Sequence, residues 1–140
     1  MTVTLETTAT PAPDDLAFVG QRLSAFNDAD VGPAERTPLA VFARDEMGGI
    51  VAGISGYTAW GWLYVQWLWV DESLRGQRTA GSMLEAAEDE ARARGCHGAL
   101  IDTFNPKAAI AYQRQGYQTF GPLPDFPVGR SRIFLQKKLA

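Results

Sequence analysis

Residues 62–84 read WLYVQWLWVDESLRGQRTAGSML, and this stretch decides the fold. Eight of the nine residues from Trp62 to Val70 are apolar or aromatic, which is typical of a strand buried on both faces at the centre of a sheet. A short polar segment containing Gly76 follows, and apolar residues then recur with helical spacing. A strand, a loop and a helix in this order predict a crossover unit, in which the next strand, Gly98 to Phe104, is parallel to the first.

Shorter elements are predicted on both sides of this unit. The helix of the unit itself runs from Thr79 to Arg94, with Gly95 as its stop. The other predicted elements are an edge strand at Val3–Thr8, a helix from Asp14 or Asp15 to Phe26, a loop from Asn27 to Pro38, a hairpin of Leu39–Arg44 with Ile50–Trp60, a helix from Asn105 to Gln115, strand Tyr117–Phe120, loop Gly121–Gly129 and strand Arg132–Lys137. We therefore expect one α+β domain spanning residues 1–140, with three layers. Its sheet is mixed but mostly antiparallel, has about six to seven strands and carries helices on both faces.

Composition excludes several classes of protein. The 140 residues carry a formal net charge of −3, which argues against nucleic acid or an anionic membrane as a partner. The single cysteine, Cys96, excludes an internal disulfide and a multi-cysteine zinc site. Met1 to Thr10 lacks the features of a signal peptide, and the longest apolar stretch, Trp60 to Val70, is too short for a membrane helix. We expect a cytoplasmic protein.

The junction between the central strand and its helix is the first candidate site. A loop that leads from a strand into a helix directs backbone N–H groups and the helix dipole to one point, which suits a phosphate group. An ordinary strand-to-helix loop has the same elements. The Walker A pattern fails because Ser82 occupies the position of its lysine, and the dinucleotide pattern G-x-G-x-x-G is absent.

Two segments carry a resemblance to a known family. Arg75 to Ala80, RGQRTA, resembles the acyl-coenzyme A loop of the GNAT superfamily of N-acetyltransferases, [R/Q]-x-x-G-x-[G/A], with Arg78 in place of the glycine. The stretch NPKAAIAYQRQGY is similar to the second half-site of that family, N-x-x-A-x-x-x-Y-x-x-x-G-[F/Y], and matches it at Asn105, Ala108, Tyr112, Gly116 and Tyr117. The two motifs stand in the order of the family with one strand between them, so the chain is identified as a member.

The resemblance implies a cosubstrate and a set of site residues. Acetyl-coenzyme A would bind through the backbone amides of the loop and the end of the central strand, and Asn105 would contact the pantetheine arm. The implied cofactor-binding residues are Leu68, Trp69, Val70, Arg75, Gly76, Gln77, Arg78, Thr79, Ala80, Gly81, Ser82 and Asn105. Tyr112 would protonate the departing thiolate, and its alternative role is a helix-face aromatic in the core. Asn105 could equally serve as a helix cap.

Arg78 departs from the family pattern, and two consequences are open. Its side chain could force the loop outward if the position requires a positive φ or a close approach of a phosphate. Alternatively, the guanidinium could point outward and bind a phosphate of coenzyme A.

The implied activity is transfer of an acetyl group to a primary amine by direct attack on the thioester. Acidic and polar residues in the predicted loops favour a small cationic acceptor. The candidate acceptor residues are Asn27, Asp28, Glu72 and Asp125. Asp28, Glu72, Asp125 or an ordered water could act as the general base. The alternatives are a degenerate acyl-coenzyme A binding or sensing module without turnover, and a protein N-terminal or lysine acetyltransferase. A homodimer is compatible with the sequence.

Overall fold

The computed structural model describes all residues from Met1 to Ala140, in two compact units, Met1–Ala34 and Glu35–Ala140. The first unit contains one helix, α1 (Pro13–Val31). The second contains a six-stranded sheet and two helices. Its elements are β1 (Thr37–Arg44), β2 (Ile50–Ala59), β3 (Trp62–Val70), a 3₁₀ turn (Glu72–Leu74), α2 (Thr79–Ala93), β4 (Gly98–Thr103), α3 (Pro106–Arg114), β5 (Gln118–Pro124) and β6 (Ser131–Lys138). None of the helices has the length and hydropathy that a membrane span requires.

The sheet has the strand order β1-β2-β3-β4-β6-β5. All neighbouring strands are antiparallel except β3 and β4, which are parallel where Trp62–Val65 pairs with Gly98–Ile101. The predicted crossover unit and the mixed, mostly antiparallel α+β sheet are therefore confirmed.

One face of this sheet carries the core of the second unit. Leu63 and Val65 of β3, Leu84 of α2 and Tyr112 of α3 belong to a single buried cluster, so both helices pack on the same face. Because side chains alternate along a strand, Tyr64, which lies between Leu63 and Val65, points to the other face.

A β-bulge in β3 changes this alternation. Ser55 of β2 pairs with Trp67 and Gly56 pairs with Val65, so Gln66 is an extra residue. The strands approach so closely that a Cβ at Gly56 would overlap the carbonyl oxygen of Tyr64. Beyond the bulge Leu68 packs on the core, and Trp67, 74% exposed, points to the opposite face.

Three predicted elements differ from the structure. The predicted strand at Val3–Thr8 is wrong, because these residues form no regular structure. The first helix does not end at Phe26 but continues to Val31, since no helix breaker precedes Gly32. Asn27 and Asp28 are therefore helical and do not lie in a loop. The strand predicted to end at Phe120 continues to Pro124, because β5 lies at the edge of the sheet, where a proline removes no inter-strand hydrogen bond.

Candidate active site

The loop before α2 contains two residues with positive φ. Gly76 has φ 83°, and Arg78 has φ 62° and ψ 21°, the left-handed conformation that favours glycine. Arg78 occupies the glycine position of the family motif, yet α2 begins at the next residue, Thr79. The arginine therefore adopts the backbone conformation of a glycine, and the loop still leads directly into the helix.

Several backbone donors at this helix start are unused. The N–H of Gln77 donates to the Leu74 carbonyl oxygen at 3.2 Å, and that of Ser82 donates to the Arg78 carbonyl oxygen at 3.0 Å. No hydrogen bond within the chain uses the N–H groups of Thr79, Ala80 and Gly81. The N–H of Arg78 is unused as well, so four consecutive backbone donors, from Arg78 to Gly81, remain available to a ligand.

A cavity of about 560 Å³ opens at the same place. It lies between the start of α2 and the C-terminal half of α3, and its lining includes the guanidinium-bearing residues Arg75, Arg78 and Arg114. None of these three arginines takes part in an ion pair. Unpaired guanidinium groups next to free backbone N–H groups form a site for a polyanion.

Apart from Tyr112, the contribution of the C-terminal end of α3 to this cavity was not predicted from the sequence. Arg114 and Gln115 line it, and a Cβ at Gly81 would meet the side-chain amide of Gln115. Gly81 therefore permits the close approach of α3 to α2. Arg114 lies two residues beyond the motif tyrosine, and only the packing of the two helices brings it to the loop.

The strands β3 and β4 separate next to this cavity. Their pairing ends at Val65 and Ile101, so the backbone of residues 66–70 has no strand partner on the β4 side. A second cavity of about 210 Å³ lies in this gap, and its lining includes Gln66, Leu68, Asp102, Thr103, Phe104 and Tyr112. The predicted residues Leu68 and Val70 thus border the gap and the larger cavity respectively.

Tyr112 lines both cavities. The residue is 6% exposed, and its hydroxyl has no hydrogen-bond partner in the chain. Every fully buried side-chain polar atom of the chain has a hydrogen-bond partner. The Tyr112 hydroxyl oxygen has none, so it is not fully buried and is accessible from the cavities. Burial, with a smaller contribution from the charge of Asp102, raises the pKa of Tyr112 to about 12. Tyr112 is therefore a protonated donor throughout the physiological pH range.

The predicted cofactor residues Asn105 and Trp69 line neither cavity. The side-chain oxygen of Asn105 accepts hydrogen bonds from the backbone N–H groups of Lys107 at 2.9 Å and Ala108 at 3.4 Å, so it caps α3. Trp69 is 52% exposed and points away from the core, although its backbone borders the gap.

The two predicted acceptor residues of the second unit do not share a cavity. Glu72 lies in the 3₁₀ turn and lines neither cavity, and Asp125 lines a separate cavity of about 340 Å³. Asn27 and Asp28 belong to α1 of the first unit. The carboxylate that does face the gap is Asp102, which was missed. The signal for it was an acidic residue within an otherwise apolar strand.

Comparison with known proteins identifies the family. Residues 5–117 match the model of the Acetyltransferase (GNAT) family. An acetyltransferase of Agrobacterium fabrum is 43% identical over 116 residues, which cover 83% of this chain and 85% of that protein. The blasticidin-S acetyltransferase of Streptomyces morookaense is 37% identical over 132 residues, covering 84% and 96%.

Solved structures agree with this result. The crystal structure of an acetyltransferase from Agrobacterium tumefaciens superimposes with a TM-score of 0.89 at 38% identity and covers 99% of each chain. An aminoglycoside 6'-N-acetyltransferase complexed with coenzyme A shares the fold, with a TM-score of 0.65 at 18% identity over 74% of this chain and 73% of that one. The chain therefore belongs to the acetyltransferase (GNAT) family, as an acyl-coenzyme A-dependent N-acyltransferase whose cosubstrate is acetyl-coenzyme A.

Proposed function

We propose that this enzyme acetylates a primary amine of a small cationic molecule, and that the amine attacks the thioester directly. The observation that carries the proposal is the position of Tyr112 between two cavities, one lined by unpaired arginines and one in the gap between β3 and β4. A donor in the first cavity and an acceptor in the second would react beside the Tyr112 hydroxyl. The 37% identity to a protein named blasticidin-S acetyltransferase supports an amine-bearing small molecule as the acceptor.

The larger cavity would hold the phosphates of acetyl-coenzyme A. The N–H groups of Thr79–Gly81 and the side chains of Arg75, Arg78 and Arg114 supply the donors. The pantetheine arm would extend along the free backbone edge of Leu68–Val70 and bind it as an added strand does. Gly76, Gln77 and Ser82 shape the loop, and Asn105 fixes the start of α3.

Tyr112 would donate its proton to sulfur as the C–S bond breaks. Most of the remaining rate acceleration would come from holding the two reactants in contact, since no covalent enzyme intermediate is needed. The roles suggested for Asn27, Asp28, Glu72 and Asp125 in acceptor binding stay predictions.

The test combines a binding measurement with a turnover measurement. Acetyl-coenzyme A at a hundredfold excess over its dissociation constant should stabilise the fold by about 2.7 kcal/mol. Release of free thiol is then followed with blasticidin S, kanamycin, spermidine and a peptide with a free N-terminus. Thiol release with the small cationic amines supports the proposal. Stabilisation without thiol release from any amine would indicate a binding module, and release with the peptide alone would indicate a protein acetyltransferase.

We also propose that two copies associate. None of the residues of α1 is buried, and the apolar residues Leu23 and Phe26 are 58% and 71% exposed. An apolar helix face of this kind favours association. Light scattering of the full chain should give the mass of a dimer, and Leu23→Glu should reduce it to that of a monomer.

Two further expectations, on domain organisation and on location in the cell, remain predictions. We expect the whole chain, residues 1–140, to act as one acetyltransferase domain. The cytoplasm is the expected location, and the free thiol of Cys96 is compatible with a reducing compartment.

A further inference from the structure

Asp102 is held in a fixed position at the gap between β3 and β4. Its Oδ2 accepts a hydrogen bond from the Tyr64 hydroxyl at 2.9 Å, and its Oδ1 accepts one from Nε of Arg132 at 2.9 Å. Its side chain is 14% exposed. A carboxylate can accept about four hydrogen bonds, so two partners leave it capacity for a ligand.

The groups around Asp102 come from three elements. Tyr64 of β3 and Arg132 of β6 are its hydrogen-bond partners, and Tyr112 of α3 lines the same cavity. Burial and the neighbouring carboxylate raise the pKa of Tyr64, so this phenol stays protonated and keeps donating to Asp102. Arg132 balances the charge of the Asp102 carboxylate, but it donates a hydrogen bond to only one of the two oxygens.

Asp102 and Tyr112 reach the cavity from opposite faces of the sheet. Ile101 belongs to the core cluster on the helix-covered face, so the adjacent Asp102 points to the other face, whereas Tyr112 projects from α3. The cavity therefore has a proton donor on one side and a carboxylate on the other. Both groups would assist amide formation from an ammonium and a thioester, because nitrogen loses protons while sulfur gains one.

We propose that Asp102 binds the acceptor ammonium and accepts the protons that its nitrogen loses. This inference rests on the proposed function. One proton passes to Asp102 and on to solvent, and the freed lone pair forms the C–N bond. As the C–S bond breaks, sulfur takes the proton of Tyr112, and the second nitrogen proton passes to Asp102 and from there to solvent. Solvent then reprotonates Tyr112, so the net products are the amide, the free thiol and one proton.

Asp102→Asn in the full chain tests the proposal, because asparagine keeps the shape of the side chain but cannot take up a proton. With blasticidin S as the probe amine, or with kanamycin or spermidine where one of these is the better acceptor, kcat/KM at pH 7 should fall by roughly 10²–10⁴-fold. The loss should shrink toward pH 10, where a much larger fraction of the amine is neutral in solution. The thermal shift with acetyl-coenzyme A should remain. Asp89→Asn on the exposed surface of α2 is the matched control and should leave the profile unchanged.

A second variant distinguishes loss of the carboxylate from loss of the folded structure. In Asp102→Ala, added formate should restore part of the activity, and chloride at the same ionic strength should not. A loss of activity that is uniform at every pH and is not rescued by formate would overturn the role of Asp102, and so would unchanged activity. Either result would leave the proposed function standing. Absence of turnover by the wild type with every amine would instead overturn the proposed function and this inference with it.

Discussion

The Tyr117 hydroxyl donates a 2.8 Å hydrogen bond to Oε2 of Glu88, a residue that is only 1% exposed. The other oxygen of Glu88 accepts a 2.7 Å bond from the Lys137 ammonium. Glu88 belongs to α2, Tyr117 follows α3 and Lys137 belongs to β6, so one carboxylate joins three parts of the core. The last residue of the second motif is therefore a structural residue at this site.

Lys137→Met should strongly destabilise the fold. It leaves the buried carboxylate of Glu88 without its counter-charge, which costs about 3–5 kcal/mol. Urea unfolding at pH 7 measures the change. Lys138→Met on the exposed side of the same strand is the control, and it should alter the free energy of unfolding by no more than about 0.5 kcal/mol. Equal stability of the two variants would contradict the structural importance of the pair.

Tyr112→Phe should lower turnover by roughly 10²–10⁴-fold and leave stability nearly unchanged, because the hydroxyl has no partner in the chain. Tyr117→Phe is the matched control. It should lower stability by about 1–3 kcal/mol through the lost bond to Glu88 and retain turnover. Turnover and melting temperature are measured on both variants. The same pattern in both would remove Tyr112 from the mechanism.

The pH dependence of the wild type provides a separate check on Tyr112. The acid form is lost only as pH rises through its pKa, which burial and the Asp102 charge raise to about 12. Deprotonation of Tyr112 should therefore cause no fall in kcat up to pH 10. A fall with a midpoint below pH 10 that disappears in Tyr112→Phe would contradict the raised pKa.

Arg78→Gly and Arg78→Ala separate backbone strain from charge. Both variants lose the guanidinium, so both should bind acetyl-coenzyme A roughly tenfold more weakly if Arg78 contacts a phosphate. Only glycine relieves the left-handed conformation at φ 62°, so it should be more stable than the alanine variant by about 1 kcal/mol. Calorimetric titration and thermal unfolding give the two quantities. Equal or tighter binding by Arg78→Gly would mean that the side chain only obstructs the site.

Gly56→Ala should disrupt the bulge in β3. The new Cβ would overlap the Tyr64 carbonyl oxygen, and a backbone atom cannot rotate away as a side chain can. We expect a loss of about 3 kcal/mol and lower activity, since the bulge borders the gap. Gly121→Ala is the control, because its Cβ would meet nothing within 4 Å. Similar unfolding curves for the two variants would refute the close approach.

The parts of the fold that could be predicted are those with dense local signals. The apolar run of β3, the cap and proline at Asn105–Pro106 and the glycine after α2 fixed their elements to within one or two residues. The end of α1 was missed because Asn27 and Asp28 are weak helix formers and do not stop a helix. The prolines of β5 led to the prediction of a loop. Proline is tolerated in a strand at the edge of a sheet, but the local sequence does not show that a strand lies at the edge.

The candidate site was predictable only where its residues are contiguous in the motif. The motifs contain the loop from Arg75 to Gly81 and Tyr112, and most of these residues line the larger cavity. Their roles stay predictions. Arg114 enters the larger cavity through helix packing, and Asp102 faces the gap because β3 leaves β4 after Val65. The positions of Arg114 and Asp102 depend on contacts between elements that are distant in the sequence. The spacing of residues within one element does not predict such contacts.

The separation of β3 from β4 also bears on the order of events in a catalytic cycle. If the donor binds from the helix-covered face and the acceptor from the opposite face, as proposed, both would occupy the protein together, and neither would have to leave before the other arrives. Initial-velocity plots at several fixed acceptor concentrations should therefore intersect, as for a ternary complex. Residues on the open face of the sheet could then be substituted to accommodate another amine, while the residues that bind the donor stay the same.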